Sequence, residues 1–236
     1  MNQSAPTVVA TIGNAIRHNA LALGAFAVLT AGAIALTQSA TRDQISENRQ
    51  QARARALFQI VPEQQHDNDL LHDIYRLKRA ESLGYPQGVD LYRARLEGQV
   101  HTLIVPVITT DGYNGKIALI VGIRSDESLA GVRILRHQET PGLGDKIDIK
   151  KSPWVLSFND TRLQGDNDPS WAVKKDGGQF DQFTGATITP RAVVEAVKQA
   201  ILIFRQHRTA LLQPLAVHPE STAAPGQSAT EGSVNE

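Results

Sequence analysis

No cysteine occurs among the 236 residues. That absence excludes disulfides, cysteine-ligated iron–sulfur clusters, c-type haem attachment, thiol catalysis and a lipidated cysteine. Redox chemistry, if any, must run through a cofactor held by other residues. An excess of one charge is also missing: 24 Lys and Arg balance 24 Asp and Glu, so nothing stands ready to neutralise nucleic-acid phosphates. The histidines, at 18, 66, 72, 101, 137, 207 and 218, include no i, i+4 pair of the kind that grips a metal on a helix. No metal site is expected. A G-x-S-x-G elbow, an H-E-x-x-H helix and a Walker loop are absent as well, which removes the main signatures of a hydrolase.

Between Arg17 and Arg42 there is no Asp, Glu, Lys or Arg, and Ala20 to Leu36 is wholly apolar, small or threonine. At about 1.5 Å per residue this run can cross a hydrocarbon core of roughly 30 Å. A transmembrane helix is expected over 20–40, behind an N-terminal segment of residues 1–19. The stretch Thr37-Gln38-Ser39-Ala40 lacks the A-x-A pattern of signal-peptide cleavage, which favours an uncleaved anchor. Flanking charge points to a cytoplasmic body, since Arg17 alone precedes the run whereas Arg42, Arg49, Arg53 and Arg55 follow it.

Beyond the anchor, residues 41–88 are expected to form a helical connector. Ile45, Ala52, Ala56, Leu57 and Ile60 make an amphipathic pattern that Val61-Pro62 ends, and Leu70 to Ala80 reads as a second short helix. The centre is β-rich, with runs at Asp90–Glu97, Val100–Thr109, Lys116–Ile123 and Gly131–Arg136, and a strong turn at Asp111–Lys116. A last helix should start with Thr189 as N-cap and Pro190 in first position, and Val193, Val194, Val197, Ile201, Leu202 and Phe204 form its core stripe. Together these give an α+β fold: a twisted antiparallel sheet packed by helices over 89–212. Residues 213–236, rich in Pro, Ser, Ala, Gly and Glu without periodicity, read as a disordered tail.

Just before that last helix stands Asp181-Gln182-Phe183-Thr184-Gly185-Ala186-Thr187. A threonine hydroxyl can form a phosphodiester, Gly185 and Ala186 keep its surroundings open, and a helix N-terminus favours an anion. After the fourth β-run comes Glu139-Thr140-Pro141-Gly142-Leu143-Gly144, where two glycines and a proline allow a sharp turn beside a flat ligand.

The D-x-x-T-G-A-T run resembles the threonine-flavinylation motif. With Gly112-Tyr113-Asn114-Gly115 and the E-T-P-G-L-G loop, in this order after one N-terminal anchor, the chain resembles the FMN-binding G subunits of Rnf/Rsx electron-transport complexes. The C subunits of Na⁺-translocating NADH:quinone reductases share the same plan. The resemblance implies FMN joined to Thr187 by a phosphoester that a separate flavin transferase makes, with Thr184, Gly185 and Ala186 as the immediate frame. It implies a ring-side loop of Glu139, Thr140, Gly142, Leu143 and Gly144, with Tyr113 lining the site and Asp181 recognised by the transferase. It also implies an inner-membrane protein with residues 1–19 in the cytoplasm and a body that, against the charge count, lies in the periplasm. There the flavin exchanges electrons with other membrane subunits while the complex moves Na⁺ or H⁺, without side-chain catalysis. The rival reading is a non-redox, membrane-anchored extracytoplasmic ligand-binding or scaffold module in which Gly-Ala-Thr only caps a helix.

Overall fold

The computed structural model describes the backbone over residues 5–214 and the side chains from residue 16 on, apart from 43, 46, 47, 49, 50, 52 and 53. The tail expected over 213–236 therefore lies, from 215 onward, outside the described residues. The chain divides into two compact units, with the boundary between Gln59 and Ile60.

The first unit is helix α1 (Ala5–Ile60) up to Gln59. Its Ile16–Arg42 segment, 27 residues, is long and apolar enough to cross a membrane. Leu21, Leu23, Phe26, Val28, Leu29, Ile34 and Leu36 are 67–75% exposed, an apolar surface that no protein core covers. The hydroxyls in this run do not spoil it. Those of Thr30, Thr37 and Thr41 donate to the carbonyls of Phe26, Ala33 and Thr37, four residues back, at 2.8–2.9 Å.

The second unit is α+β. Five strands, β1 (Ile74–Leu77), β2 (Val89–Leu96), β3 (Gln99–Gly112), β4 (Gly115–Arg124) and β5 (Leu129–Arg136), form one antiparallel sheet in sequence order. Helix α2 (Ile188–Leu211) packs across β3 and β4. Period-two alternation sends Leu103, Val105 and Val107 of β3 and Ile117, Leu119, Val121 and Ile123 of β4 into one core with Val193, Val197, Ile201 and Phe204 of α2. Register shifts at Ala94/Arg95, Thr109/Gly112, Ala118/Leu119 and Gly122/Ile123 interrupt the ladders and add twist.

Two local expectations are corrected. The segment Leu70–Ala80 is not a helix: the Asp69 carboxylate takes the Leu71 N–H at 3.0 Å in a tight turn, and Ile74–Leu77 then pairs with β2. The open edge of β2 offers a backbone ladder, and that pairing overrides the helix-like spacing of the leucines. The connector over 41–88 is accordingly helical only to Ile60, apart from short 3-10 turns. Further on, α2 begins at Ile188 with Thr187 in the cap position, so Thr189 and Pro190 lie inside its first turn.

Candidate functional site at one end of the sheet

Antiparallel order brings the motifs together. The two-residue turn Tyr113-Asn114 joins β3 to β4 with Gly112 paired to Gly115. Because β5 runs against β4, with Arg136 opposite Ala118, the chain leaves β5 at the same end of the sheet. The loop that follows closes at once: the Leu143 N–H donates to the Thr140 carbonyl at 3.1 Å. Pro141 and Gly142 occupy its two central positions, and Gly142 has φ +78°, the arrangement a type II turn asks for. Helix α2 spans the sheet from this end to the other, where Arg208 donates to the Ser125 carbonyl and Arg205 pairs with Glu127.

A second glycine turn faces the first. The Ala186 N–H donates to the Phe183 carbonyl at 3.1 Å, and Gly185, at φ +79°, takes the same turn position. A Cβ on Gly185 would stand 3.8 Å from Leu143 Cδ2, so the two loops are in contact. Beneath lies an aromatic cluster. The Trp154 indole N–H donates to the Asp181 carbonyl at 2.7 Å and its ring meets Phe183 edge-on at 5.2 Å. Phe158 packs between Trp154 and Phe180 at 5.4 and 4.4 Å. These contacts fix the first half of the D-x-x-T-G-A-T run while leaving its end open.

Thr187 sits where a helix begins. Its carbonyl accepts the Arg191 N–H at 3.3 Å, yet its side chain makes no capping hydrogen bond. The hydroxyl is thus left for another bond, beside the N–H groups of the first turn. Two ion pairs lie nearby. Arg191 donates twice to Asp176, at 2.5 and 2.6 Å, which lowers the Asp176 pKa and raises that of Arg191, and Lys174 holds Asp181 at 2.6 Å.

Below the surface, Glu139 is 5% exposed and Thr189 fully buried. Glu139 Oε1 accepts the Asn114 N–H at 3.1 Å, and Oε2 accepts the Thr189 hydroxyl at 2.5 Å. The Asn114 amide donates to the Thr140 hydroxyl at 3.0 Å. The expected site residues therefore divide: Thr184, Gly185, Gly142, Leu143 and Tyr113 are exposed, Thr140, Ala186 and Thr187 half-buried, and Glu139 and Gly144 buried.

Residues 112–202, from the hairpin tip through most of α2, match the FMN-binding domain family, and residues 1–60 match the RnfG N-terminal region. The G subunit of the ion-translocating oxidoreductase complex of Vibrio atlanticus is 47% identical over 203 residues, 86% of this chain and 97% of that protein. The proteins of the same name in Vibrio cholerae and Aliivibrio fischeri are 48% and 46% identical over 197 residues, 84% of this chain and 94% of each. The chain belongs to the G subunits of ion-translocating oxidoreductase complexes.

The residues of this G subunit suit FMN. A half-buried hydroxyl with no capping bond at a helix N-terminus suits a phosphate group, and Leu143 at 41% and Tyr113 at 65% exposure offer apolar surface to a flat ring. The supports escape sequence reasoning. In the sequence Thr189 reads as a cap, Asn114 as a plain turn residue, and Trp154 carries no signal. An asparagine in a two-residue hairpin turn is ordinary turn chemistry, so nothing in the local pattern marks its backbone N–H as tied to a buried carboxylate.

Proposed function

We propose that this G subunit is a membrane-anchored electron carrier with FMN joined to Thr187 by a phosphoester. The observation that supports it most directly is the Thr187 hydroxyl, free of capping duty at the start of a 24-residue helix in an FMN-binding-family domain. The bound flavin supplies the electron-carrying chemistry. The chain's own tasks are to bind and orient. First-turn N–H groups and the positive helix end favour the phosphate, Leu143 and Tyr113 cover part of the ring, and the Thr184 and Thr140 hydroxyls stand at the rim. No side chain is asked for acid–base catalysis.

In this reading α1 crosses the inner membrane and the body lies in the periplasm, where a covalent bond prevents loss of a cofactor that is hard to replace there. A flavin transferase installs the FMN, with Asp181 in its recognition motif. Electrons then pass to and from other membrane subunits of a complex that moves Na⁺ or H⁺. The open position of Leu143, Gly185 and Tyr113 lets a partner's cofactor approach.

The test is denaturing electrophoresis under ultraviolet light after co-expression with a flavin transferase, with mass analysis of the peptide spanning Thr187. Fluorescence should survive denaturation, and that peptide should gain the mass of FMN less water. Thr187→Ala should lose both while keeping the fold by circular dichroism. Covalent flavin persisting in Thr187→Ala overturns the assignment, and its absence from the wild type leaves a non-redox scaffold.

A further inference from the structure

We infer that Glu139 is a positioning residue for the flavin-bearing threonine, acting through Thr189 and Asn114 without touching the flavin. This rests on attachment at Thr187 as proposed above. Both Glu139 oxygens already have partners inside the protein, the Asn114 N–H and the Thr189 hydroxyl, and the residue is almost wholly buried. Thr189 follows Thr187 by two positions, so the carboxylate fixes the first turn of the helix that presents the acceptor hydroxyl. Asn114 brings in the hairpin tip, and its side chain reaches on to Thr140.

The glycine at 144 is explained by the same contact: a Cβ there would lie 2.7 Å from Oε2 and 2.8 Å from Thr189 Oγ1. At Gly112 a Cβ would meet the Gly115 carbonyl at 2.4 Å and Glu139 Oε1 at 2.8 Å, so the hairpin and the carboxylate both ask for glycine. One buried group gathers the G-Y-N-G turn, the E-T-P-G-L-G loop and the start of α2. Removing the Thr189 hydroxyl leaves a buried acceptor unsatisfied and releases the helix start.

The experiment follows covalent loading over time in the full-length protein co-expressed with a flavin transferase. Thr189→Val and Glu139→Gln should each slow loading about tenfold, the double variant should be no slower than the worse single one, and Thr189→Ser should load as the wild type does. The flavin that is loaded should keep its absorption spectrum and midpoint potential in all of them. Wild-type loading in Thr189→Val overturns the inference. So does a shifted potential in Glu139→Gln with an unshifted one in Thr189→Val, which would make Glu139 a flavin ligand. Amide hydrogen exchange in unloaded, detergent-solubilised protein judges the brace separately: exchange at 113–114 and 185–188 should quicken in Thr189→Val, and unchanged exchange also overturns it. That readout stands even if the wild type carries no flavin on Thr187, a result that would sink the attachment alone.

Discussion

Thr187 and Thr189 stand two positions apart at the start of one helix and have different surroundings: one is half-buried with no capping bond, the other fully buried against a carboxylate. Side-chain type alone could not separate them. A threonine before Pro190 has every local mark of an N-cap, and only the Glu139 carboxylate, 50 positions earlier in the chain, decides that its hydroxyl points inward. Carboxylates elsewhere show the same dependence on neighbours. Asp126 accepts the Ser128 hydroxyl at 2.6 Å and N–H at 2.9 Å and faces Arg162 at 2.7 Å. The Ser128 hydroxyl, then its N–H, and the charges of Arg162 and Arg124 hold the Asp126 carboxyl below its ordinary value. A depressed folded pKa contributes stability that is complete above the unfolded value and is lost as pH falls through the folded one. Stability should therefore decline below about pH 4, and Asp126→Asn should flatten that acid limb in urea titrations at successive pH values. An unchanged limb would remove Asp126 from the account.

Among the elements, β2 to β5 and α2 were legible: β3 and β4 are β-branched, apolar runs buried over most of their length, and α2 carries a 3.6-residue stripe. The strand β1 was not. Ile74–Leu77 is short and has only one buried side chain, Leu77, so it carries almost no periodic signal and owes its conformation to pairing with β2. A buried ion pair marks that edge. Arg95, its side chain 3% exposed, donates to Asp73, which also holds Arg93, and reaches the carbonyls of Gly98 and Gln213. Asp73→Ala leaves two guanidinium groups without their carboxylate and should cost about 3–5 kcal/mol, read as a fall in the urea midpoint of the detergent-solubilised protein. A cost under about 1 kcal/mol, the worth of an exposed pair, would contradict the buried reading. The aromatic support of the site was equally hidden, since Trp154 and Phe158 lie in a short 3-10 turn and Trp171, Phe180 and Phe183 in loops without a period, and only folding brings the rings into contact.

For the whole molecule, the apolar run and the motif order carried the fold class and the family, while sidedness stayed in conflict between flanking arginines and resemblance. A chain without cysteine allows a direct answer. A single cysteine placed at the exposed Gln206 should react with a membrane-impermeant maleimide added to intact cells if the body is periplasmic. Reaction only after lysis would place it in the cytoplasm, where the charge count puts it.

The end-to-end span of α2 also has a meaning in time. Strands that pair strictly in sequence order can form as the chain emerges, but the helix start that displays Thr187 depends on core residues as late as Ile201, Phe204 and Leu211. The proposed acceptor is thus made ready only once the chain has been made as far as Leu211. A chain ended after residue 200 should take up no covalent flavin, whereas one ended after Pro214 should load normally, and loading of the shorter chain would refute this order. Under the attachment proposed at Thr187, flavinylation certifies a completed fold, and an unfinished chain presents the transferase with a motif it cannot use.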